Sequence, residues 1–161
     1  MMNRRNFLGL SVGVAAAAMI PASLSATDFR ATKPKAWTAN NVNDAITEIF
    51  GTSNTTVSKK IKLKAPDIAE NGAVIPVTIS TKMNAKTMAI FQDANPESAV
   101  AVFTVPANGI PEYAVRIKMS KTGTVTAVAD VDGKLYSASK VVKVTIGGCG
   151  GWFNHFNTIY E

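Results

Sequence analysis

The 161-residue chain contains only one cysteine and one histidine. A single cysteine, Cys149, excludes an internal disulfide and any CxxC motif for redox cycling or zinc binding. Because His155 is the only histidine, a histidine-based metal site is not available within one chain. A Cys149/His155 pair for nucleophilic catalysis would need a rigidly placed base, which the residues around Cys149 do not provide. The sequence therefore offers a nucleophile without a catalytic apparatus, and we expect no cofactor.

The charge of the chain is mildly positive and dispersed. There are 17 lysine and arginine residues against 11 aspartate and glutamate residues, and charged residues make up 17% of the chain. The lysines do not form the arginine-rich, aromatic-interleaved runs that are typical of nucleic-acid binders. We expect no nucleic-acid partner, whereas small anionic substrates would be mildly attracted.

The N-terminal residues 1–26 have the organisation of an export signal. A short positive segment precedes an apolar run over residues 7–20 and a stretch of small residues that ends at Ala26. The motif Arg4-Arg5-Asn6-Phe7-Leu8 matches the twin-arginine type, which exports folded cargo. The apolar run is too short for a membrane span, and no cysteine follows the signal to carry a lipid. We expect cleavage near Ala26 and a periplasmic protein without a membrane anchor.

Residues 27–146 are predicted to form one domain. Apolar residues at helical spacing over residues 40–50 predict a short helix, with Asn40 or Asn41 as the N-cap and Gly51 as the C-cap. Alternation then predicts seven strands, and Asp132-Gly133 marks a hairpin. The strands are expected at residues 57–63, 74–79, 87–91, 99–105, 113–119, 124–131 and 141–146. Short strands without helical crossovers predict an all-β fold, an immunoglobulin-like antiparallel β-sandwich with a short N-terminal helix.

Glycines bracket the single cysteine directly after the last predicted strand, in Gly147-Gly148-Cys149-Gly150-Gly151. Glycine has no Cβ and loses more conformational entropy on ordering than other residues, so this segment is predicted to be a mobile arm. None of the four residues next to Cys149 in the sequence has a side chain that can shield the sulfur. A lone cysteine in an oxidising compartment indicates intermolecular pairing or a reactive thiol. The pattern favours a covalent carrier that presents its thiol to other enzymes. The alternative is an exported structural or assembly module that uses Cys149 for an intermolecular disulfide.

The segment that ends in these glycines resembles a known family. Val144-Thr145-Ile146-Gly147-Gly148-Cys149-Gly150-Gly151 is similar to the carboxy-terminal GGCGG arm of SoxY, the sulfur-carrying subunit of the periplasmic thiosulfate-oxidising Sox system. Residues 65–77, Arg116-Ile117-Lys118 and the twin-arginine signal support this resemblance.

The resemblance implies a tight heterodimer with SoxZ and thiosulfate-derived intermediates attached to Cys149. It also implies transient partners: a haem-containing SoxAX that couples thiosulfate to the thiol, a manganese-dependent SoxB that releases sulfate, and a sulfane dehydrogenase. The carrier itself is expected to hold no cofactor and to catalyse no reaction.

Residues 152–161 depart from the family pattern, which typically stops at or next to the last glycine. Five of these ten residues are large and apolar or aromatic: Trp152, Phe153, Phe156, Ile159 and Tyr160. This C-terminal extension conflicts with a slim arm that enters a narrow channel, unless it is processed, is a non-native or reading-frame extension, or docks on the body and turns the arm into a loop. The sequence leaves these alternatives open.

Overall fold

The computed structural model describes residues 27–145. The predicted signal (1–26), the glycine-bracketed arm (147–151) and the C-terminal extension (152–161) lie outside the described residues. The described chain forms two α-helices, one 3-10 helix and nine strands. The helices are α1 (Phe29–Thr32), the 3-10 helix (Pro34–Trp37) and α2 (Val42–Phe50). The strands are β1 (Thr55–Val57), β2 (Ile61–Lys64), β3 (Ile68–Ala69), β4 (Ile75–Thr81), β5 (Thr87–Gln92), β6 (Ala99–Thr104), β7 (Glu112–Ile117), β8 (Gly123–Val131) and β9 (Lys134–Val144).

The strands form two sheets that pack as a sandwich. The larger sheet has the order β1-β9-β8-β5-β6, and β3 also pairs with β9. The smaller sheet has the order β2-β4-β7. Neighbouring strands are antiparallel, except that β1 and β3 each run parallel to β9. The predicted all-β immunoglobulin-like sandwich is confirmed, with two short parallel pairings added to it.

The main core lies between the two sheets. It is built by alternate residues of the facing strands, as expected when each strand turns one face inward. Its most completely buried members are Ile75, Val77 and Ile79 of β4, Met88 and Ile90 of β5, Val125, Ala127 and Ala129 of β8, and Val142 of β9. This burial fixes the register of β9, the strand that leads toward Cys149.

A second apolar layer covers part of the outer face of the larger sheet. Helix α2 contributes Ala45, Ile46 and Ile49 to a cluster with Phe91 of β5 and Leu135 of β9. The sheet is therefore buried on both faces where α2 covers it, which explains why nearly every residue of β5 is buried.

The predicted helix is confirmed, and its ends show why it forms where it does. The side chain of Asn41 accepts a hydrogen bond from the backbone N–H of Asp44 at 2.8 Å, as an N-cap should. At the other end, Gly51 adopts φ = 82° and donates its N–H to Thr47 O at 2.7 Å. The left-handed backbone conformation at this position favours glycine, and it ends the helix.

The hairpin at Asp132-Gly133 is also confirmed. Both residues have positive φ, 52° and 80°, as a two-residue type I′ turn requires. The carboxylate of Asp130 accepts the Gly133 N–H at 2.9 Å, and Val131 pairs with Lys134 across the turn.

Two of the predicted strands differ from the structure by more than one or two residues at an end, and the two-residue β3 was not predicted. The run 57–63 is split into β1 and β2 by a turn in which Ser58 O accepts the Ile61 N–H at 3.2 Å. As a result, β1 joins the larger sheet and β2 the smaller one. The last strand begins at Lys134 and not at residue 141, because its first half pairs with β8 directly after the hairpin.

Candidate functional site at the end of β9

The strand that leads toward the predicted thiol ends at a well-anchored position. Thr145 is the last described residue, and Cys149 follows it by four residues. An extended chain spans at most about 3.6 Å per residue, so the Cα of Cys149 lies within about 14 Å of the Cα of Thr145. Gly147, Gly148, Cys149, Gly150 and Gly151 are outside the described residues, and their role stays a prediction. The structure describes the base from which they extend.

Both edges of β9 are held at this base. On one side, Lys143 N donates to Asp67 O at 2.9 Å and Thr145 N donates to Ala69 O at 3.0 Å, which places β3 parallel to the strand end. On the other side, Val144 N donates to the Thr122 hydroxyl at 3.0 Å. Since backbone groups on both edges are paired, the base is fixed up to Thr145.

A close approach of Gly72 completes the base. The Met119 N–H donates to Gly72 O at 2.8 Å, which joins the loop after β3 to the residues after β7. A Cβ atom on Gly72 would lie 2.5 Å from Met119 O and 2.8 Å from Cγ1 of Val144. Neither distance is compatible with ordinary van der Waals contact. Glycine is therefore required here by space.

We expect Gly72→Ala to destabilise the domain by about 1–3 kcal/mol, the usual cost of forcing an extra methyl group into a packed site. Because one of the clashing atoms belongs to Val144, the substitution should also increase hydrogen exchange of the β9 amides near Thr145. Chemical denaturation and hydrogen-exchange mass spectrometry measure the two effects.

Gly51→Ala is the matched control for this substitution. A Cβ on Gly51 would meet no atom within 4 Å, but its φ of 82° is unfavourable for alanine. Gly51→Ala should lower stability without a selective increase in exchange at the end of β9. If Gly72→Ala is as stable as the wild type, the described packing of Gly72 against Val144 is wrong.

The charges near the base are partly compensated. The Lys140 ammonium group lies 3.0 Å from an Asp67 carboxylate oxygen and donates to Ala65 O at 2.5 Å. These two contacts of Lys140 hold residues 65–67 against β9. Lys143 is exposed, and within residues 27–145 it has no ion pair. Within the described part of the chain, Lys143 therefore leaves a positive charge without an ion-pair partner at the end of β9.

The described residues supply no other chemistry at this site. No cluster of three potential metal-ligating side chains occurs between Thr27 and Thr145. Over the same stretch, no helix is long and apolar enough to cross a membrane. His155, the only histidine, lies outside it. Within residues 27–145, the structure describes the end of β9 as an anchored strand end.

Sequence reasoning did not find the residues that hold the base. Asn71-Gly72 reads as an ordinary turn, and the two-residue β3 is too short to show alternation. The roles of Gly72, Ala69 and Thr122 depend on contacts between residues 22 to 76 positions apart. The turn propensity of Asn71-Gly72 and the family resemblance of residues 65–77 both point to this segment, but neither indicates what it packs against.

Comparison with known proteins identifies the family. The sequence model described as sulfur oxidation protein SoxY matches residues 46–149, which is more than half of the chain and includes Cys149. The chain belongs to the SoxY family. The structure of the sulfur carrier protein SoxY from Chlorobium limicola f thiosulfatophilum is 42% identical and matches with a TM-score of 0.61. The match covers 68% of this chain and 96% of that one. The resemblance inferred from the glycine-bracketed motif is thus confirmed.

More distant structural matches lie outside the SoxY family. Superoxide reductase (neelaredoxin) from Ignicoccus hospitalis is 19% identical, with a TM-score of 0.48 over 53% of this chain and 80% of that one. A variant of the same reductase is 18% identical, with a TM-score of 0.49 over 65% of this chain and 89% of that one. A comparison with curated protein sequences found no significant match.

Proposed function

We propose that this SoxY-family chain is a non-enzymatic covalent carrier, in which the Cys149 thiol holds thiosulfate-derived sulfur intermediates on a swinging arm formed by residues 147–151. The observation that carries the proposal is the family match, which extends through Cys149. The anchored end of β9 supports it, because a fixed base lets a short glycine segment sweep a defined volume.

The chemistry needs a thiol and separate enzymes. Joining a thiol to thiosulfate forms one S–S bond, releases a proton and removes two electrons, so it requires an electron acceptor that this carrier does not supply. We propose the haem-containing SoxAX for that step. We propose that manganese-dependent SoxB then hydrolyses the bound adduct: water adds across the S–S bond that joins the sulfonate group to the carried sulfur, and sulfate is released. A sulfane dehydrogenase then oxidises the sulfur that remains on the carrier.

We further propose a heterodimer with SoxZ and a periplasmic location reached by the twin-arginine route. Strand β6 is one edge of the larger sheet, and its six residues carry no charged side chain. Natural edge strands are usually protected by charges, proline or a covering element, so this edge suits burial by a second subunit. The location is supported by the Arg4-Arg5 motif within the export signal of residues 1–26.

Loading of the thiol can be tested without partner enzymes. Tetrathionate is a sulfur electrophile, and attack by the Cys149 thiolate releases thiosulfate and leaves a thiosulfonate group on the cysteine. We expect intact-mass spectrometry to show one such adduct per chain, removable by a reductant. Purified SoxB should then remove sulfate from the loaded protein but not from a loaded small thiol such as glutathione.

The disulfide-module alternative gives a different result. It predicts that oxidation produces Cys149-linked dimers on non-reducing gels at the expense of the adduct, and that SoxB does not act on the protein. Release of sulfate from loaded glutathione at the same rate would show that the protein is not a specific carrier.

A further inference from the structure

One corner of the larger sheet is left uncovered on its outer face. Helix α2 covers that face over β5 and at the beginning of β9, around Leu135. Toward the other end of β9, Val141 is 55% exposed and Ile68 of β3 is 58% exposed. Residues of this corner share one face because they pair directly or alternate along a strand. We call this surface the open corner: Ile68, Thr124, Thr126, Ser139, Val141 and Lys143.

The open corner is a continuous surface. Thr124 pairs with Val141, Thr126 pairs with Ser139, and Ile68 pairs with Lys143. The hydroxyl groups of Thr126 and Ser139 lie 3.0 Å apart, and one donates a hydrogen bond to the other. Two half-exposed aliphatic side chains therefore lie beside one pair of hydrogen-bonded hydroxyls, and Lys143 is the only charged residue in the set. Such a surface can accept apolar side chains without stranding a buried charge.

The chain passes this corner before it continues toward residues 146–161. Thr145 lies two residues beyond Lys143, directly after the end of β9. The corner has exposed aliphatic side chains but nothing among the described residues that covers them. The residues that follow the arm include five large apolar or aromatic side chains suited to this: Trp152, Phe153, Phe156, Ile159 and Tyr160. We propose that residues 152–161 fold back on the open corner and cover Val141 and Ile68, so that Cys149 is the tip of a closed loop and not part of a free arm.

The chain lengths fit this arrangement. With Cys149 at the tip, four residues lead out from Thr145 and four lead back to Phe153. Four more residues, about 13 Å of extended chain, bring the returning segment level with Val141. The glycines on each side of Cys149 permit the reversal, since they tolerate backbone conformations that other residues avoid. Aromatic side chains gain the most from covering exposed aliphatic surface.

This inference concerns the position of residues 152–161 and does not depend on whether Cys149 carries sulfur. Chymotrypsin, which cleaves after aromatic residues, reports on it directly. Cleavage after residues 152–160 in the full chain should be at least about tenfold slower than in a synthetic peptide of residues 147–161, because protease access follows the population of the open form. Intact-mass spectrometry identifies the cut positions.

Substitutions at the open corner locate the docking surface. Ile68→Ser and Val141→Ser should each return the cleavage rate toward that of the peptide. Ile110→Ser is the matched control, because Ile110 is also an exposed isoleucine (83%) but lies far from the open corner. Its neighbour Pro111 accepts a hydrogen bond from Thr81, at the end of β4 that is remote from Gly72. It should leave the cleavage rate unchanged.

Three outcomes would overturn the proposal. Cleavage of the full chain as fast as the peptide would show that the extension does not dock. Protection that survives both Ile68→Ser and Val141→Ser would place it elsewhere. Protection that is lost on dilution would mean that the extension binds a second copy of the chain and not its own open corner.

A consequence for the carrier rests on the proposed function as well. A chain that stops after Gly151 should react with tetrathionate at the same rate as the full chain, since a small reagent reaches a loop tip as easily as a free arm. Loading by SoxAX should be faster for the truncated chain, because a closed loop is wider than a single extended strand. If the protease test succeeds and this difference is absent, the extension docks but does not restrict enzyme access.

Discussion

Cys149→Ser is expected to abolish sulfur loading completely while leaving the stability of the domain within about 0.5 kcal/mol of the wild type, as is usual for surface substitutions away from packed features. The serine hydroxyl is not ionised near neutral pH and cannot form the S–S bond on which the proposed carriage depends. Since the chain contains no second cysteine, no other thiol can replace it. Intact mass after tetrathionate treatment and a thermal or chemical unfolding curve measure the two properties separately.

The control for this substitution is alkylation of the wild-type thiol with iodoacetamide. It blocks the same sulfur without changing the sequence and should also abolish loading. A sulfur adduct on Cys149→Ser, or turnover of thiosulfate by the reconstituted Sox enzymes with this variant, would show that the carriage does not take place on Cys149. A large loss of stability would mean that the cysteine is packed in the fold, contrary to the prediction of an exposed thiol.

The proposed site could be inferred from the sequence because its pattern is local, and it stays a prediction. One cysteine with two glycines on either side is a pattern within five residues, and its meaning depends on residue types more than on distant contacts. The helix α2 was readable for the same reason. Asn41 and Gly51 perform the capping roles that their residue types favour, and the hairpin at Asp132-Gly133 forms the turn that this dipeptide favours.

The residues that hold the end of β9 could not be predicted from the sequence, because they act through contacts between residues that are distant along the chain. Nothing in the two residues Ile68–Ala69 indicates that they pair in parallel with Lys143 and Val144. The split of residues 57–63 between two sheets likewise depends on partners elsewhere, Ser137 for Val57 and Thr81 for Ile61. Alternation reports which residues can form a strand, whereas sheet membership is decided by tertiary pairing.

Pro76 lies inside strand β4. Proline lacks an N–H and is expected at a sheet edge or a bulge. Strand β4 is central in its sheet, but its pairing with β2 ends at Thr78, so at Pro76 the strand has a neighbour only on the β7 side. The proline therefore lies where β4 behaves as an edge strand, although the strand as a whole is not one.

We expect Phe91→Ala to lower the free energy of unfolding by about 3–5 kcal/mol, the usual cost of removing a large buried aromatic side chain. Phe91 is 0% exposed and belongs to the cluster that joins β5 to Ile46 and Ile49 of α2. The lost contacts lie on the outer face of the larger sheet, so α2 should exchange its amide hydrogens faster. Chemical denaturation and hydrogen exchange measure these effects, and Phe91→Leu, which keeps an apolar side chain, should cost clearly less.

Phe91→Ala is expected to lower stability without changing sulfur loading, whereas Cys149→Ser is expected to abolish sulfur loading without changing stability. Phe91 belongs to the α2 layer, whereas the base of the arm is held by Ala69, Gly72 and Thr122. At a temperature where Phe91→Ala remains folded, its thiol should therefore react with tetrathionate at the wild-type rate. A stability loss below about 1 kcal/mol would contradict the described packing of α2 on the sheet. A folded Phe91→Ala protein with an altered loading rate would instead show that the α2 layer and the end of β9 are coupled, which the hydrogen bonds at the base do not require.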